Sequence, residues 1–565
     1  MRGLNRVMAI VLGIVLISAG NSWAQKVKPW KNITAKVGLQ GLGGGSAHWI
    51  DFDADGWVDL FDGGTLWHNQ QGKSFKKVES PGVGGGGTWG DFDGDGKIDF
   101  YTPGGGGRLL KNMGGGKFKH LAGAVPKLPM AAPMCAVWGD FSGDGLLDLY
   151  VGGYEAPAYQ IDVRYRNQGN GTFKEVWRTK GAPNPARGLT TADFDEDGDL
   201  DIYVSNYRLV PNFLWQNDGK GNLANVSKAF GTDGDGGLGA WGHTIGSCFG
   251  DLDSDGRIAI FVGNFSHPPA YQDRPKFLRN LGKAKKFHFQ DLSGQAGLRW
   301  QESYASPALG DFDNDGLLDL FFTTVYPGDK SVLYHNKGGF KFAEVPGAAG
   351  MDRPQPYQAS WADWDNDGGL DLVVGGGLYQ NPGHPGHWIK VRLVGSGPVN
   401  TTAIGAQVRI RVGGEKGRVI TRQVTTGTGQ GNQADAAMHF GLGDHSGEVT
   451  LEILWPGNRR QSVKTPVDRV VTVKFAGKCS SPTSGVICLP AFRLLTWPRI
   501  QVAESTAAGR EVLADGHRRH LLCTRPAAVH HPASYARTAG RIGPSRPRRL
   551  GPRLDAAFDR DPGVS

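Results

Sequence analysis

Hydrophobic positions along this chain alternate with polar ones in short runs and do not form helical stripes. In Leu318-Asp319-Leu320-Phe321-Phe322 the residues Leu318, Leu320 and Phe322 fall on one face, which is the two-residue period of a strand. The third of a series of repeated units shows four such runs, at 136–140, 147–152, 163–167 and 172–177. The last two are separated by Asn167-Gln168-Gly169-Asn170-Gly171, and the next unit has Asn217-Asp218-Gly219-Lys220-Gly221 at the same place; such turns favour tight hairpins. Units of four antiparallel strands, recurring about every 40 to 60 residues between Trp30 and Gln380, predict the blades of a propeller.

The two ends of the array are offset. Most units finish with a strand such as Phe75-Lys76-Lys77-Val78, Phe289-Gln290-Asp291-Leu292 or Phe342-Ala343-Glu344-Val345. The seventh stops at Leu378-Tyr379-Gln380-Asn381 without one, while a matching strand, Trp30-Lys31-Asn32-Ile33-Thr34, opens the array. The N-terminal strand is therefore expected to pair with the seventh unit and close the ring, which also removes an exposed edge.

Each unit carries one acidic nonapeptide between strands. In Asp311-Phe312-Asp313-Asn314-Asp315-Gly316-Leu317-Leu318-Asp319, carboxylates stand at positions 1, 3, 5 and 9 and Gly at position 6. Acidic side chains at every second residue converge on one point only if the chain wraps around it, and Gly permits the turn. Hard oxygen ligands in that number, with the position-7 carbonyl, suit Ca²⁺. Without a cation the clustered carboxylates repel one another and their pKa values rise. Four further complete sets are Asp51, Asp53, Asp55 and Asp59; Asp91, Asp93, Asp95 and Asp99; Asp193, Asp195, Asp197 and Asp201; and Asp363, Asp365, Asp367 and Asp371. Two sets are degraded: Asp140, Ser142, Asp144 and Asp148 have Ser at position 3, and Asp251, Asp253 and Asp255 are followed by Ala259 at position 9. An EF-hand would need flanking helices and Glu at position 12, where this chain has Asp62, Thr102, Val151, Val204, Val262, Phe322 and Val374. Loops whose own ligands fill the shell leave no open position for substrate, so the ions are expected to be structural.

Arg2 and Arg6 precede an apolar run from Val7 to Ala19, and Ser22-Trp23-Ala24 gives a small-x-small cleavage site. Residues 1–24 read as a secretory signal peptide, which points to a secreted, periplasmic or extracellular protein. No other stretch is long and apolar enough for a membrane span. The propeller is expected at 25–381. A turn-rich hinge, Asn381-Pro382-Gly383-His384-Pro385-Gly386, leads to a second domain at 382–478. Short strands at 388–394, 406–412, 419–424, 438–440, 449–454 and 467–473 suggest a small β-sandwich there.

Charge changes the picture only at the end of the chain. The net charge is +8, and residues 479–565, with thirteen Arg, no Lys and six acids, hold nearly all of it. This Arg/Pro-rich tail reads as disordered, and no nucleic-acid partner is expected of an exported protein. Cys135 and Cys248 read as small apolar core residues, and Cys479 and Cys488 could pair, leaving Cys523 odd.

The acidic loops with their Gly-rich flanks resemble FG-GAP/VCBS repeats, the units of integrin α-subunit propellers. The segment from His387 resembles the ASPIC/UnbV domain, through His387-Trp388-Ile389-Lys390-Val391-Arg392-Leu393, Asn400, Ala403-Ile404-Gly405-Ala406, Gly427-Thr428-Gly429, His439-Phe440-Gly441-Leu442-Gly443 and Trp455-Pro456-Gly457. The resemblance implies an all-β, calcium-binding, extracellular molecule: a seven-bladed integrin-α-like β-propeller followed by a small β-sandwich-like domain. It supplies no ligand.

Zinc is not expected from His384 and His387 or from His439 and His445, since nothing gathers a third ligand beside them. Trp57, Trp89, Trp138, Trp241 and Trp361 lie near the loops and are expected between blades, with a few free to stack on sugars. No nucleophile elbow or phosphate loop is present. The reading is a calcium-dependent binding or adhesion module for an extracellular protein or polysaccharide, with no catalytic residues. The alternative is a carbohydrate-active enzyme, a polysaccharide lyase or hydrolase, working on a propeller face.

Overall fold

The first two strands of each unit carry near-continuous apolar runs, because both their faces meet neighbouring sheets. In the computed structural model most residues of these strands are buried, as throughout Ala186–Ala192 and Asp201–Asn206. The outermost strands keep one wet face, as in Phe173–Arg178. The structure describes residues 29–477 except 79–85, 130–132, 155–160, 182–183, 235–240, 266–273, 327, 346–350 and 352–355. The leader at 1–24, the tail at 479–565, and Cys479, Cys488 and Cys523 lie outside the described residues.

Among the described residues, seven four-stranded antiparallel sheets follow one another as propeller blades. Their innermost strands are Ala47–Ile50, Thr88–Gly90, Pro133–Gly139, Ala186–Ala192, His243–Gly250, Pro307–Gly310 and Ala359–Ala362. Blade 3 is typical, running Pro133–Gly139, Asp148–Gly153, Val163–Asn167 and Phe173–Arg178 in spatial as in chain order. Blade 7 takes three strands from 359–380 and its fourth, Lys31–Asn32, from the other end of the chain. Lys31 lies opposite Gln380 and Asn32 opposite Tyr379, antiparallel as expected. Trp30 and Ile33 are 3% and 5% exposed, and Trp30 packs its ring on Trp361 and Phe312.

A second set of bonds closes the ring. The third strand of each blade ends in Asn or, in blade 7, is followed directly by Asn381, and the Asn side-chain amide donates to the backbone carbonyl of loop position 2 in the preceding blade. Asn112 reaches Phe52, Asn167 reaches Phe92, Asn217 reaches Phe141, Asn280 reaches Phe194, Asn336 reaches Leu252 and Asn381 reaches Phe312, all at 2.8–3.0 Å. Asn69 reaches Trp364 and so ties blade 1 to blade 7. Indole N–H groups add to this: Trp49, Trp138 and Trp361 donate to Ser360, Thr88 and Ala308 of the blade before. Trp89, Trp138 and Trp361 are buried between blades, and so are Cys135 and Cys248.

The second domain is a sandwich of two sheets. His387–Val394 lies between Met438–Gly443 and Arg469–Lys474, and Gln407–Val412 lies between Arg418–Gln423 and Val449–Trp455, with Arg459–Thr465 at the edge. Ile389, Val391, Ile410, Phe440, Leu451 and Trp455 form the shared core. Arg459–Thr465 has no counterpart in the sequence reading. Its exposed Arg460, Ser462 and Lys464 alternate with half-buried positions, so it lacks the apolar run that marks a strand, as suits an edge.

This domain does not hang from a free hinge. Its segment 425–433 enters the axis of the ring and bonds to all seven blades at their innermost strands or at the foot of them. Asn432 Oδ1 accepts from Ala47 N, and Gln433 Oε1 from Trp89 N. Thr426 Oγ1 exchanges bonds with the backbone of Trp138. Gly427 O accepts from Thr190 Oγ1, and Gly429 N donates to Ser247 O. Gln430 N donates to Ser306 Oγ, and Gln433 O accepts from Ser360 Oγ. Gly429 has φ +59, and a Cβ there would stand 2.0 Å from Ser306 Oγ, so only glycine fits. Among the described residues no helix is long and apolar enough to cross a membrane.

Candidate metal centre

The acidic loops join the first strand of each blade to the second. Two left-handed residues shape each one. Position 6 is Gly throughout, with φ of 86 to 99. Position 4 is also left-handed: Ala54, Gly94, Gly143, Glu196, Ser254, Asn314 and Asn366 have φ between 52 and 72. The sequence reading credited position 6 alone, because five different residue types share position 4.

In blade 6, Gly316 N donates to Asp311 Oδ2 at 2.9 Å and Leu317 N to Asp315 Oδ1 at 2.7 Å. The same bonds recur in the other blades, for example Gly198 N to Asp193 and Asp199 N to Asp197. Position 9 is turned into the blade. Asp319 accepts from Asn336 N at 2.8 Å and Phe312 N at 3.1 Å, and Asp59, Asp99 and Asp201 accept the equivalent pair. This carboxylate therefore braces loop to third strand as well as facing the cluster.

The predicted residues do converge. Oxygens of Asp51, Asp53 and Asp59, of Asp91, Asp93 and Asp99, and of Asp193, Asp195 and Asp197 lie within 4.8 Å of one another in each set. Burial and the neighbouring carboxylates push Asp59 up to about 9 and Asp193 and Asp311 to about 8, and they hold Asp201, Asp319 and Asp371 well above the usual range. Buried oxygens of Asp51, Asp195, Asp311, Asp363 and Asp365 meet no hydrogen-bond donor. Buried acceptors left bare in this way destabilise by several kcal/mol unless something satisfies them. All-oxygen donors of this kind fit a hard divalent cation.

The degraded loops differ. In blade 5, Arg279 Nη2 lies 2.9 Å from Asp253 and 3.0 Å from Asp255, and Arg257 pairs with Asp255 as well. Two guanidinium groups there stand over the carboxylates of positions 3 and 5. In blade 3, Arg166 pairs with Asp144 and Arg164 with Asp148.

The second domain covers the loop face. Arg392 pairs with Asp51, Thr401 Oγ1 donates to Asp91, Thr421 N to Asp251 and Gly441 N to Asp311. Gln407 Nε2 donates to Asp193 O and Lys390 Nζ to Asp363 O, and Gly145 packs on Gly397. Lys390, Arg422, Asp435 and His439 border a cavity of about 150 Å³ beneath it, with Lys390 Nζ 2.9 Å from Asp435. The four histidines weighed for zinc have other roles. His384 contacts backbone carbonyls of Gly386 and Asp367, His387 pairs with Asp468, His439 bonds Asn314, and His445 contacts Glu448 O.

Two family models agree with this architecture. An FG-GAP-like repeat model matches residues 91–151, 156–204, 251–322 and 311–374, and an ASPIC and UnbV model matches 396–479. Cartilage acidic protein 1 of Xenopus tropicalis is 25% identical over 293 residues, 48% of this chain and 42% of that protein. Its Homo sapiens counterpart is 25% identical over 296 residues, 49% and 42%. The chain thus spans less than half the length of the curated relatives it matches. Among solved structures, an Agrocybe aegerita lectin described as recognising non-reducing terminal N-acetylglucosamine aligns at TM-score 0.36 and 15% identity, over 59% of this chain and 85% of that one. The extracellular domain of a one-component system from B. thetaiotaomicron aligns at 0.39 and 8%, over 79% and 59%.

Proposed function

We propose, for a chain that carries FG-GAP-like repeats followed by an ASPIC and UnbV domain, a secreted calcium-binding propeller that serves as a binding or adhesion module for an extracellular protein or glycan. The buried carboxylate oxygens without donors, at Asp51, Asp195, Asp311, Asp363 and Asp365, carry the calcium part of this reading. Bound Ca²⁺ supplies the positive charge and the coordination that these oxygens lack. The five complete loops hold it best, blade 3 holds it less well, and blade 5 least.

The second domain covers the loop face and its 425–433 segment fills the axis. A ligand therefore docks on the opposite face, where first strands begin and second strands end. There Arg187 lies 5.2 Å from the ring of Tyr154 and 4.8 Å from that of Tyr207, and Trp300 is 62% exposed. Arg187 and Tyr154 are buried against each other and brace this face, while the exposed Trp300 ring is available to stack on a sugar or on a side chain of a partner. An array of polysaccharides and matrix proteins, probed with and without calcium, tests this. Binding that is lost in chelator and weakened by Trp300→Ala supports it. Conversion of a polysaccharide to shorter products would favour the enzyme instead, and binding unaffected by chelator would contradict the calcium-dependent module.

A further inference from the structure

One position tunes each loop from outside it. The residue just before the blade-linking Asn, on the third strand, turns its side chain onto loop positions 3 and 5. In blade 2 it is Lys111, paired with Asp93 and 3.0 Å from Asp95. Blades 3 and 5 use Arg166 and Arg279, paired with Asp144 and with Asp253 and Asp255. Blade 4 uses Gln216, which donates to Asp195, and blade 7 has Gln380. Blades 1 and 6 alone present an imidazole. His68 Nε2 lies 3.1 Å from Asp53 Oδ2 and 3.6 Å from Asp55 Oδ2, and His335 Nε2 lies 3.1 Å from Asp313 Oδ2 and 3.6 Å from Asp315 Oδ2. In both blades the three candidate ligand atoms lie within 4.8 Å of one another.

An imidazole changes which ion a carboxylate cluster prefers. Ca²⁺ and Mg²⁺ take oxygen, whereas ions of the zinc class take neutral imidazole and carboxylate together. The position-1 carboxylates add an observation that points to a ligand. Asp311 is 1% exposed, is in electrostatic contact with Asp313 and Asp315, and has an Oδ1 that no donor reaches. Asp51 Oδ1 also meets no donor, although the Asp51 side chain is more exposed and its other oxygen pairs with Arg392. In blade 1 the outer contact also suits a metal-bound imidazole, whose second nitrogen normally donates to an acceptor. His68 Nδ1 lies 2.9 Å from the Gln70 side-chain amide, and that amide, turned over, offers its oxygen to Nδ1–H. His335 Nδ1 instead faces the ammonium of Lys337, itself a donor, so that contact has to break before a metal-bound His335 ring can donate.

We propose that the loops of blades 1 and 6 are sites for a divalent transition ion of the zinc class, held by His68 with Asp51, Asp53 and Asp55, and by His335 with Asp311, Asp313 and Asp315. The proposal rests on the reading that these loops bind cations, and it assigns a different ion to two of them. The test uses the full metal-free chain titrated with Zn²⁺ in the presence of excess Ca²⁺. Zinc stoichiometry comes from calorimetry, and imidazole nitrogen shifts come from NMR. The parent should bind two zinc equivalents that Ca²⁺ does not displace, with two imidazoles shifting at Nε2. The His68→Gln/His335→Gln pair, which installs the residue type of blades 4 and 7, should lose both equivalents. The single His68→Gln variant, at the more exposed site, should lose one. Unshifted imidazoles, or unchanged zinc stoichiometry in the variants, would overturn the proposal. Melting of the paired variant separates it from the calcium reading. If Ca²⁺ still raises its melting temperature while zinc left the parent's imidazoles unshifted, the zinc sites fall alone. If zinc shifts the imidazoles and Ca²⁺ stabilises nothing, the calcium reading falls alone.

Discussion

Blades 5 and 6 are neighbours with the same loop shape and opposite electrostatics. Both have a left-handed residue at position 4, Ser254 and Asn314, and a left-handed Gly at position 6. Both fold Oδ2 of position 1 back onto the N–H of that Gly. Blade 6 then leaves Asp311 Oδ1 bare and places Asp319 beneath it. Blade 5 has Ala259 in place of that carboxylate and covers Asp253 and Asp255 with Arg279 and Arg257. The turn is thus set by hydrogen bonds within the loop and survives loss of a ligand. The cation binding proposed for these loops depends separately on what stands at position 9 and on the third strand.

The largest effect should come from giving blade 6 the residue of blade 5. Asp319→Ala strips the acceptor from two buried N–H groups, Asn336 N and Phe312 N. Each buried donor left bare costs about 1–3 kcal/mol, so urea unfolding in calcium should show a loss of about 2–6 kcal/mol. A loss within measurement error would mean that the blade does not need the brace and that the two blades are equivalent.

A smaller effect should appear as a pH slope in metal-free protein. Asp59 is pushed up to about 9 and Asp311 to about 8, from an ordinary value of 3.8. Between these values the folded chain keeps protons that the unfolded chain has released, so stability should fall as pH rises from about 4 to about 8. Calcium needs the carboxylates ionised and should flatten or reverse that slope. Urea midpoints at pH 5 and pH 8, with chelator and with calcium, measure it. Equal slopes in the two conditions would contradict a shared cation site.

The smallest change is expected from Arg279→Gln. Arg279 is about a third exposed, and surface pairs of this kind contribute about 0–1 kcal/mol. Stability should barely move, while calcium binding at blade 5 strengthens, more so when combined with Ala259→Asp. Calorimetry would show the additional site, and an unchanged calcium stoichiometry in the paired variant would mean that the arginine does not compete.

The strand alternation, the acidic spacing and the spare N-terminal strand were all visible in the sequence, because each is local or repeats at a fixed offset. The pairing of Lys31 with Gln380 follows from counting strands. The blade-linking Asn residues were not visible as such. They follow position 9 at varying distance, so only a following Gly marks them, as in Asn112-Met113-Gly114 and Asn280-Leu281-Gly282, and that signal reads equally well as a turn. The residue before each Asn was missed for the same reason, which is why His68 and His335 drew no attention beside His384 or His439. The 425–433 segment shows only small and polar residues, and its partners are spread over some 300 residues of sequence, from Ala47 to Ser360. Local pattern carries no trace of such contacts.

The most direct test of the central claim is thermal melting of the full chain with calcium and with chelator. Each ion that binds the folded chain alone adds about 2.7 kcal/mol at a hundredfold excess over its Kd. Several occupied loops should therefore raise the melting temperature by many degrees and make it depend on calcium concentration. A melting temperature that is the same in calcium and in chelator would contradict the account.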